Sequence, residues 1–171
     1  MRKVEVTAYN VQWPLMFEQE TKKLQEIFGP EIHEIHHIGS TSVKGLMAKP
    51  IIDIMPVVKG IDRIDDLDSA MIAIGYEPKG ENGIAGRRYF QKGGDYRTHH
   101  VHIYEWGNPE IERHIAFRNY LRAHPSVAKD YGNLKEKLSQ RFPDDIESYI
   151  QGKEQLVLQI ERQALLWSRN A

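Results

Sequence analysis

The sequence predicts an α/β chain of the α+β kind: a small mixed β-sheet flanked by helices and followed by a helical C-terminal part. Three observations carry this. Before about residue 107, short apolar runs alternate with stretches of helical periodicity. One run, Ile51-Ile52-Asp53-Ile54-Met55-Pro56-Val57-Val58, is β-branched and apolar on both faces, the pattern of a central strand covered on both sides. After about residue 107 the pattern is helical to the end. The 171 residues fit a single domain over 1–171, with an α/β core over 1–106 and a helical part over 107–171 packed on it.

The elements follow in order. A first helix is expected from Pro14, which suits a first helical position, to Phe28, with Trp13, Phe17, Leu24 and Phe28 near one face and Gly29-Pro30 as the stop. Ile32 to Ile38 reads as a strand interrupted by His33, His36 and His37. The strand over 51–58 is clearer, although Pro56 weakens its end. Ile61, Ile64, Leu67, Met71 and Ile74 recur at helical spacing, and Gly75 caps them. After the glycine-rich loop of residues 80–86, Arg87–Lys92 and Tyr96–Glu105 form a hairpin across Gly93-Gly94. Three helices follow, near 109–123, 126–140 and 145–168, separated at His124-Pro125 and Phe142-Pro143 because proline disfavours helix at the residue before it.

Composition narrows the function classes. The 23 Lys and Arg balance 24 Asp and Glu, a formal net charge of -1, which argues against a general nucleic-acid coat and leaves room for a local basic cleft. The chain has 0 cysteines, excluding disulfides, thiolate metal sites and a cysteine nucleophile. No run approaches the roughly 20 apolar residues of a membrane span. Met1-Arg2-Lys3-Val4-Glu5-Val6 is too short and polar for a signal peptide. A cytoplasmic location is therefore expected, with a small-molecule or nucleotide ligand as partner and neither membrane nor nucleic acid. The oligomeric state is left open.

Three groups of residues could carry chemistry. The first is His37-Ile38-Gly39-Ser40-Thr41 leading to Lys49-Pro50-Ile51-Ile52-Asp53. A Gly-Ser pair after a strand, opening a short helix, can offer backbone N–H groups and a hydroxyl to phosphate oxygens, with Lys44 and Lys49 nearby. The bland alternative is a turn whose Ser and Thr cap a helix. Asp53 shifts the balance, because a carboxylate amid Ile51, Ile52 and Ile54 is costly unless paired or bound to metal. The second group is His99-His100-Val101-His102, whose strand period puts His100 and His102 on one face, aimed at a metal or a phosphate. Zinc needs a third and usually a fourth ligand, for which Asp53, Glu105 and His37 are the candidates. The third group is cationic: Arg87, Arg88, Arg97, Arg118, Arg122, Lys135 and Lys153, each alone more often a solvated surface charge. Of these, whichever of Arg87 and Arg88 faces the cleft can clamp a phosphate bidentately.

The chain resembles the GrpB family of small bacterial proteins, grouped with the nucleotidyltransferase superfamily. The resemblance runs from about Tyr9 to Ala164 through Trp13-Pro14-Leu15-Met16-Phe17, His37-Ile38-Gly39-Ser40-Thr41, Ala48-Lys49-Pro50-Ile51-Ile52-Asp53-Ile54, Arg87-Arg88-Tyr89-Phe90, Thr98-His99-His100-Val101-His102 and Phe117-Arg118-Asn119-Tyr120-Leu121-Arg122-Ala123-His124-Pro125. It departs at Lys44, where the family commonly has proline, and at His36 and Asn119, where it commonly has an acidic residue. The resemblance implies a nucleotidyltransferase-like sheet. It also implies a nucleotide or phosphorylated small molecule as ligand, and nucleotidyl transfer as the reaction. Active members of that superfamily carry Gly-Ser, two carboxylates two residues apart on a strand, and a third on a neighbouring strand. Here Gly39-Ser40 and Asp53 match, Met55 stands at the second carboxylate position, and His100 or His102 stands where the third belongs.

The expectations are therefore these. Asp53, His100 and His102 act at the reacting centre and hold a divalent metal (Mg²⁺, Mn²⁺ or Zn²⁺). Gly39, Ser40, Thr41, Lys49, Arg88 and Arg118 bind the phosphates. The alternatives are a nucleotide- or phosphate-binding module without catalysis, and a His/Asp metal-dependent hydrolase using the same cleft.

Overall fold

The computed structural model describes residues 2–170. Its centre is a five-stranded mixed sheet in the order β1-β2-β5-β4-β3. The strands are β1 (Ile32–Ile38), β2 (Ile52–Val58), β3 (Tyr76–Pro78), β4 (Arg87–Lys92) and β5 (His99–Glu105). β2 and β5 are parallel, and the other neighbours are antiparallel. The helices are α1 (Trp13–Phe28), α2 (Asp68–Ala73), α3 (Pro109–Ala123), α4 (Pro125–Arg141) and α5 (Ile146–Arg169). The expected α/β class is the one found.

Strand alternation sorts the side chains onto two faces. Ile52, Ile54 and Val58 of β2, Phe90 of β4, and Val101 and Ile103 of β5 pack with Trp13, Leu24 and Phe28 of α1 and Met71 of α2. The opposite face carries Ile38, Met55, Val57 and Tyr104 against Ile111 and Ile115 of α3. A third cluster joins Val43 and Leu46, from the loop after β1, to α3, α4 and α5. The C-terminal helices thus cover the sheet face that also bears Asp53, His100 and His102.

Three details differ from the sequence expectation. Residues 61–74 do not form one helix: Ile61–Leu67 is a 3₁₀ segment, and α2 begins only at Asp68. Spacing of i, i+3 among Ile61, Ile64 and Leu67 suits either helix type. β3 is an additional edge strand of three residues, too short and too close to a proline to show periodicity. The hairpin strand β5 begins at His99, not Tyr96. Pro56, in contrast, stays inside β2. The β2–β5 pairing omits Met55 and Pro56 and resumes in the same register at Val57↔Tyr104, as expected where an N–H is missing.

One buried ionic cluster ties α1 to the sheet. The Glu20 carboxylate, 4% exposed, accepts hydrogen bonds from Tyr76 Oη at 2.9 Å and Lys92 Nζ at 2.5 Å, and lies 3.7 Å from His99 Nε2. Burial pushes the Glu20 carboxyl up, but Lys92, His99 and Tyr76 together outweigh it and hold the group below the usual carboxylate range. Removing the carboxylate leaves the partly buried Lys92 without its counter-charge. Glu20→Ala is expected to lower stability by about 3–5 kcal/mol in urea unfolding, the range for breaking a buried pair from one side.

Candidate functional site

The site is assembled by strand register. Ile38↔Asp53 pairs the end of β1 with β2, so the chain leaves β1 beside the Asp53 carboxylate. Asp53↔His100 pairs β2 with β5, and His102 projects from the same face two residues on. His102 Nε2 lies 2.9 Å and His100 Nδ1 3.5 Å from Asp53 Oδ1. Burial raises the Asp53 carboxyl, but hydrogen bonds from His100 and His102 and their nearby charge outweigh it, holding the carboxyl far below its ordinary range. Burial pushes His100 down, opposed by Asp53. Tyr89 of β4 packs its ring 5.6 Å from His100 and 5.2 Å from His102, fixing both imidazoles from beneath.

These residues form a cluster of potential metal ligands among the described residues, with one donor atom from each lying within 4.8 Å of the others. Metal bonds of about 2.0–2.2 Å place adjacent donor atoms roughly 3.0–3.5 Å apart, which matches the two spacings to Asp53. The second imidazole nitrogens, His100 Nε2 and His102 Nδ1, are buried with no hydrogen-bond partner. The donor set fits one divalent ion. Two imidazoles and one carboxylate favour Zn²⁺, Mn²⁺ or Fe²⁺ over Mg²⁺, which prefers oxygen ligands. The other suggested ligands lie elsewhere. His37 stacks on Phe17 at 4.8 Å, and Glu105 accepts from the Ile61 N–H. Burial pushes His37 down to about 4. His114 of α3 lies 5.6 Å from His102 and is pushed down to about 3, first by burial and then by His102 and Arg113. Of the two, His114 is the neighbour of the cluster.

Gly39 has a geometric reason. Its φ is +71°, and a Cβ there would lie 2.6 Å from Asp53 Oδ2. Only glycine lets the backbone approach the carboxylate this closely. The expected helix opening at Gly39-Ser40 is a three-residue 3₁₀ turn, Ser40–Ser42, too short to carry a helix dipole. Thr41 is buried, and its Oγ1 bonds His37 Nε2 at 2.9 Å.

The expected cations divide. Lys49 lines a cavity of about 200 Å³ together with Ser40, Thr41, Asp53, His100, Lys135, Tyr149 and Lys153. Arg88 does not reach it. Strand alternation puts Arg88 on the α1 face with Phe90, where its Nε bonds Asp65 Oδ1 at 2.8 Å. Arg87 takes the other face, but its guanidinium is bound to the carbonyls of Glu81 and Asn82. Arg118 donates to the His37 carbonyl at 3.2 Å and to Asn119 Oδ1 at 3.0 Å, bracing the end of β1. Both Arg88 and Arg118 therefore hold the fold together, and neither presents a free guanidinium to the cavity. Sequence reading passed over Lys135 as one more surface cation. The signal was its place on the buried stripe of α4, which runs Ala128, Tyr131, Gly132, Lys135, Leu138.

The family model described as GrpB protein matches residues 3–163. The chain is 55% identical over 168 residues to UPF0157 protein YqkA of Bacillus subtilis (strain 168), covering 98% of this chain and 49% of that protein, so it spans about half that relative's length. It is 33% identical over 162 residues to Glutamate-rich protein GrpB of Alkalihalophilus pseudofirmus, covering 92% and 93% of the two chains. The crystal structure of conserved protein GrpB from Enterococcus faecalis superimposes with a TM-score of 0.93 at 47% identity, over 96% of this chain and 99% of that one.

Two outcomes follow from the geometry. Gly39→Ala is expected to lower the thermal midpoint and to displace Asp53, since the new methyl has neither a relaxed backbone nor room. Lys49, ordinarily near 10.5, is pushed down to about 7 by burial first, then by Lys153 and Arg2. Between those values the unfolded chain holds a proton on this lysine that the folded chain lacks. Ligand-free stability should rise with pH through that window. Thermal unfolding at a series of pH values should show a shallower rise for Lys49→Met.

Proposed function

The chain belongs to the GrpB family, and on that footing we propose that it binds a nucleotide or another phosphorylated small molecule together with one divalent metal ion, and that a bound nucleoside triphosphate passes its nucleotidyl group to an acceptor with pyrophosphate as the leaving group. The observation that carries this reading is the convergence of Asp53, His100 and His102 on one point at the wall of a cavity lined by Ser40, Lys49, Lys135 and Lys153. Asp53, His100 and His102 would hold the ion. When bound, it would supply a Lewis acid for a phosphoryl oxygen. Lys49 and the Ser40 hydroxyl would orient the phosphates, and Gly39 would keep the approach to Asp53 open.

A second reading has its own support. Met55, at the position of the second superfamily carboxylate, is fully buried against Ile38, Val57 and Tyr104. Two-metal phosphoryl transfer depends on carboxylates to hold the second ion. A phosphate-binding module without turnover is the consequence if one ion is too few.

The test begins with Mn²⁺ and Zn²⁺ titrations of metal-free protein, followed by nucleoside triphosphates with and without the ion. Asp53→Ala is expected to abolish metal binding. His102→Ala should weaken it by at least the roughly 10- to 100-fold that loss of an outer partner of a ligand costs. Metal-dependent pyrophosphate release sustains transfer, and binding without release sustains the silent module. Metal-dependent cleavage of a phosphoester to its alcohol would identify a hydrolase. No saturable metal binding, with Asp53→Ala merely less stable, would sink the metal reading.

A further inference from the structure

Three lysines meet in this cavity, and none of them is paired with the one carboxylate that lines it, Asp53. Lys135 is 2% exposed, and its Nζ has no hydrogen-bond partner. It sits 4.4 Å from the centre of the Tyr131 ring. Lys49 and Lys153 place their ammonium groups 5.0 Å and 5.2 Å from the centre of the Tyr149 ring. The Tyr149 hydroxyl is also buried without a partner. Among the described residues none of the three lysines forms an ion pair within 4.0 Å, and Asp53, the one acid lining the cavity, is engaged by His100 and His102.

Such an arrangement weakens the fold when empty. Aromatic faces return part of the lost hydration, but like charges gathered in a dry cavity repel, and an unpaired buried ammonium is costly. Burial, then Lys153 and Lys49, pushes Lys135 well below its ordinary value, opposed only by Asp53. Lys49 faces Lys153, Arg2, Arg97 and Asp53 and is lowered likewise. Groups kept at such a cost mark binding sites more often than scaffolding.

The geometry points to a diphosphate subsite formed by Lys49, Lys135 and Lys153 with the Tyr149, Ser40 and Thr41 side chains, taking the charged end of a longer ligand. This rests on the phosphate-ligand reading above. Three ammonium groups carry more charge than one carboxylate can answer, whereas a diphosphate offers several oxygens and compensating charge. The cavity volume of about 200 Å³ is below the roughly 300 Å³ at which pockets take a whole small-molecule ligand. A neighbouring cavity of about 310 Å³ shares Ser40, Asp53 and Lys153, and its lining mixes Phe117, Tyr131 and Val157 with the charged Arg113, Glu154 and Glu161. The rest of the ligand lies there, with Asp53 at the junction. Filling the subsite draws protons onto Lys49 and Lys135, the two lysines that burial and their cationic neighbours push down, so binding takes up protons from buffer.

Calorimetry with inorganic pyrophosphate on chelator-treated protein is the test, run in two buffers of different ionisation enthalpy. Wild type should bind saturably, with heats that differ between the buffers. Lys135→Met should weaken binding by about tenfold or more, the loss expected for one charge-assisted hydrogen bond. It should also raise the thermal midpoint of the empty protein and leave Mn²⁺ binding intact. Lys153→Gln, at a less buried position, gives a second variant if Lys135→Met does not fold, and should weaken binding in the same direction. No heat in wild type, undiminished heat in the lysine variants, or identical heats in both buffers overturns the inference. Pyrophosphate heat that persists in a protein unable to bind Mn²⁺ supports the subsite while removing the metal from the reading above.

Discussion

Asp53 is the constraint around which the site is arranged. A carboxylate inside an otherwise apolar strand must be given donors, and here they are two imidazoles, not an arginine or a lysine. That solution requires β5 to lie parallel to β2 in the register Asp53↔His100, so that His100 and His102 both reach one oxygen. It requires the chain to leave β1 at Ile38, opposite Asp53, and to do so through a residue with no side chain. Tyr89 then fills the space beneath the imidazoles. Each neighbour of the carboxylate is thus fixed by the same need, and the cluster of potential metal ligands is a by-product of setting one half-buried charge between histidines.

The two faces of the sheet treat buried lysine in opposite ways. On the α1 face, Lys92 is paired with Glu20, and Tyr76 and His99 complete the set. On the α3 face, Lys135 is more deeply buried and has only the Tyr131 ring beside it, with no hydrogen-bond partner. The first lysine is satisfied by the fold itself. The second has no counter-charge among the described residues of the fold. Residue type and burial alone do not separate these roles; the presence or absence of a counter-charge does.

Much of this was legible in the sequence, for identifiable reasons. β2 announced itself because both of its faces are buried, so its apolar run shows neither the 3.6-residue period of a helix nor the alternation of a half-exposed strand. The pairing of Asp53 with His100 and His102 was foreshadowed because polar residues inside apolar strands stand out against their neighbours. Other features were hidden. Arg87 and Arg88 are adjacent, and nothing local says which parity faces the cleft. Spacing of i, i+3 did not distinguish the 3₁₀ segment at Ile61–Leu67 from the α-helix that follows it. Lys135 was visible only to helical phase, since its charge suggested surface while its position on α4 placed it with Tyr131 and Leu138.

The parallel pairing of β2 with β5 also orders events in time. Asp53 and His102 are 49 residues apart, and the 3₁₀ segment, α2, β3 and β4 all intervene. Closing so long a loop is entropically unfavourable and depends on contacts elsewhere being in place. A chain emerging from the ribosome holds Asp53 well before either histidine exists. No local segment, however well formed, can imitate the ligand set. Capture of an ion would therefore report that the sheet has been completed through β5, and the free energy of capture would be added to a fold already assembled.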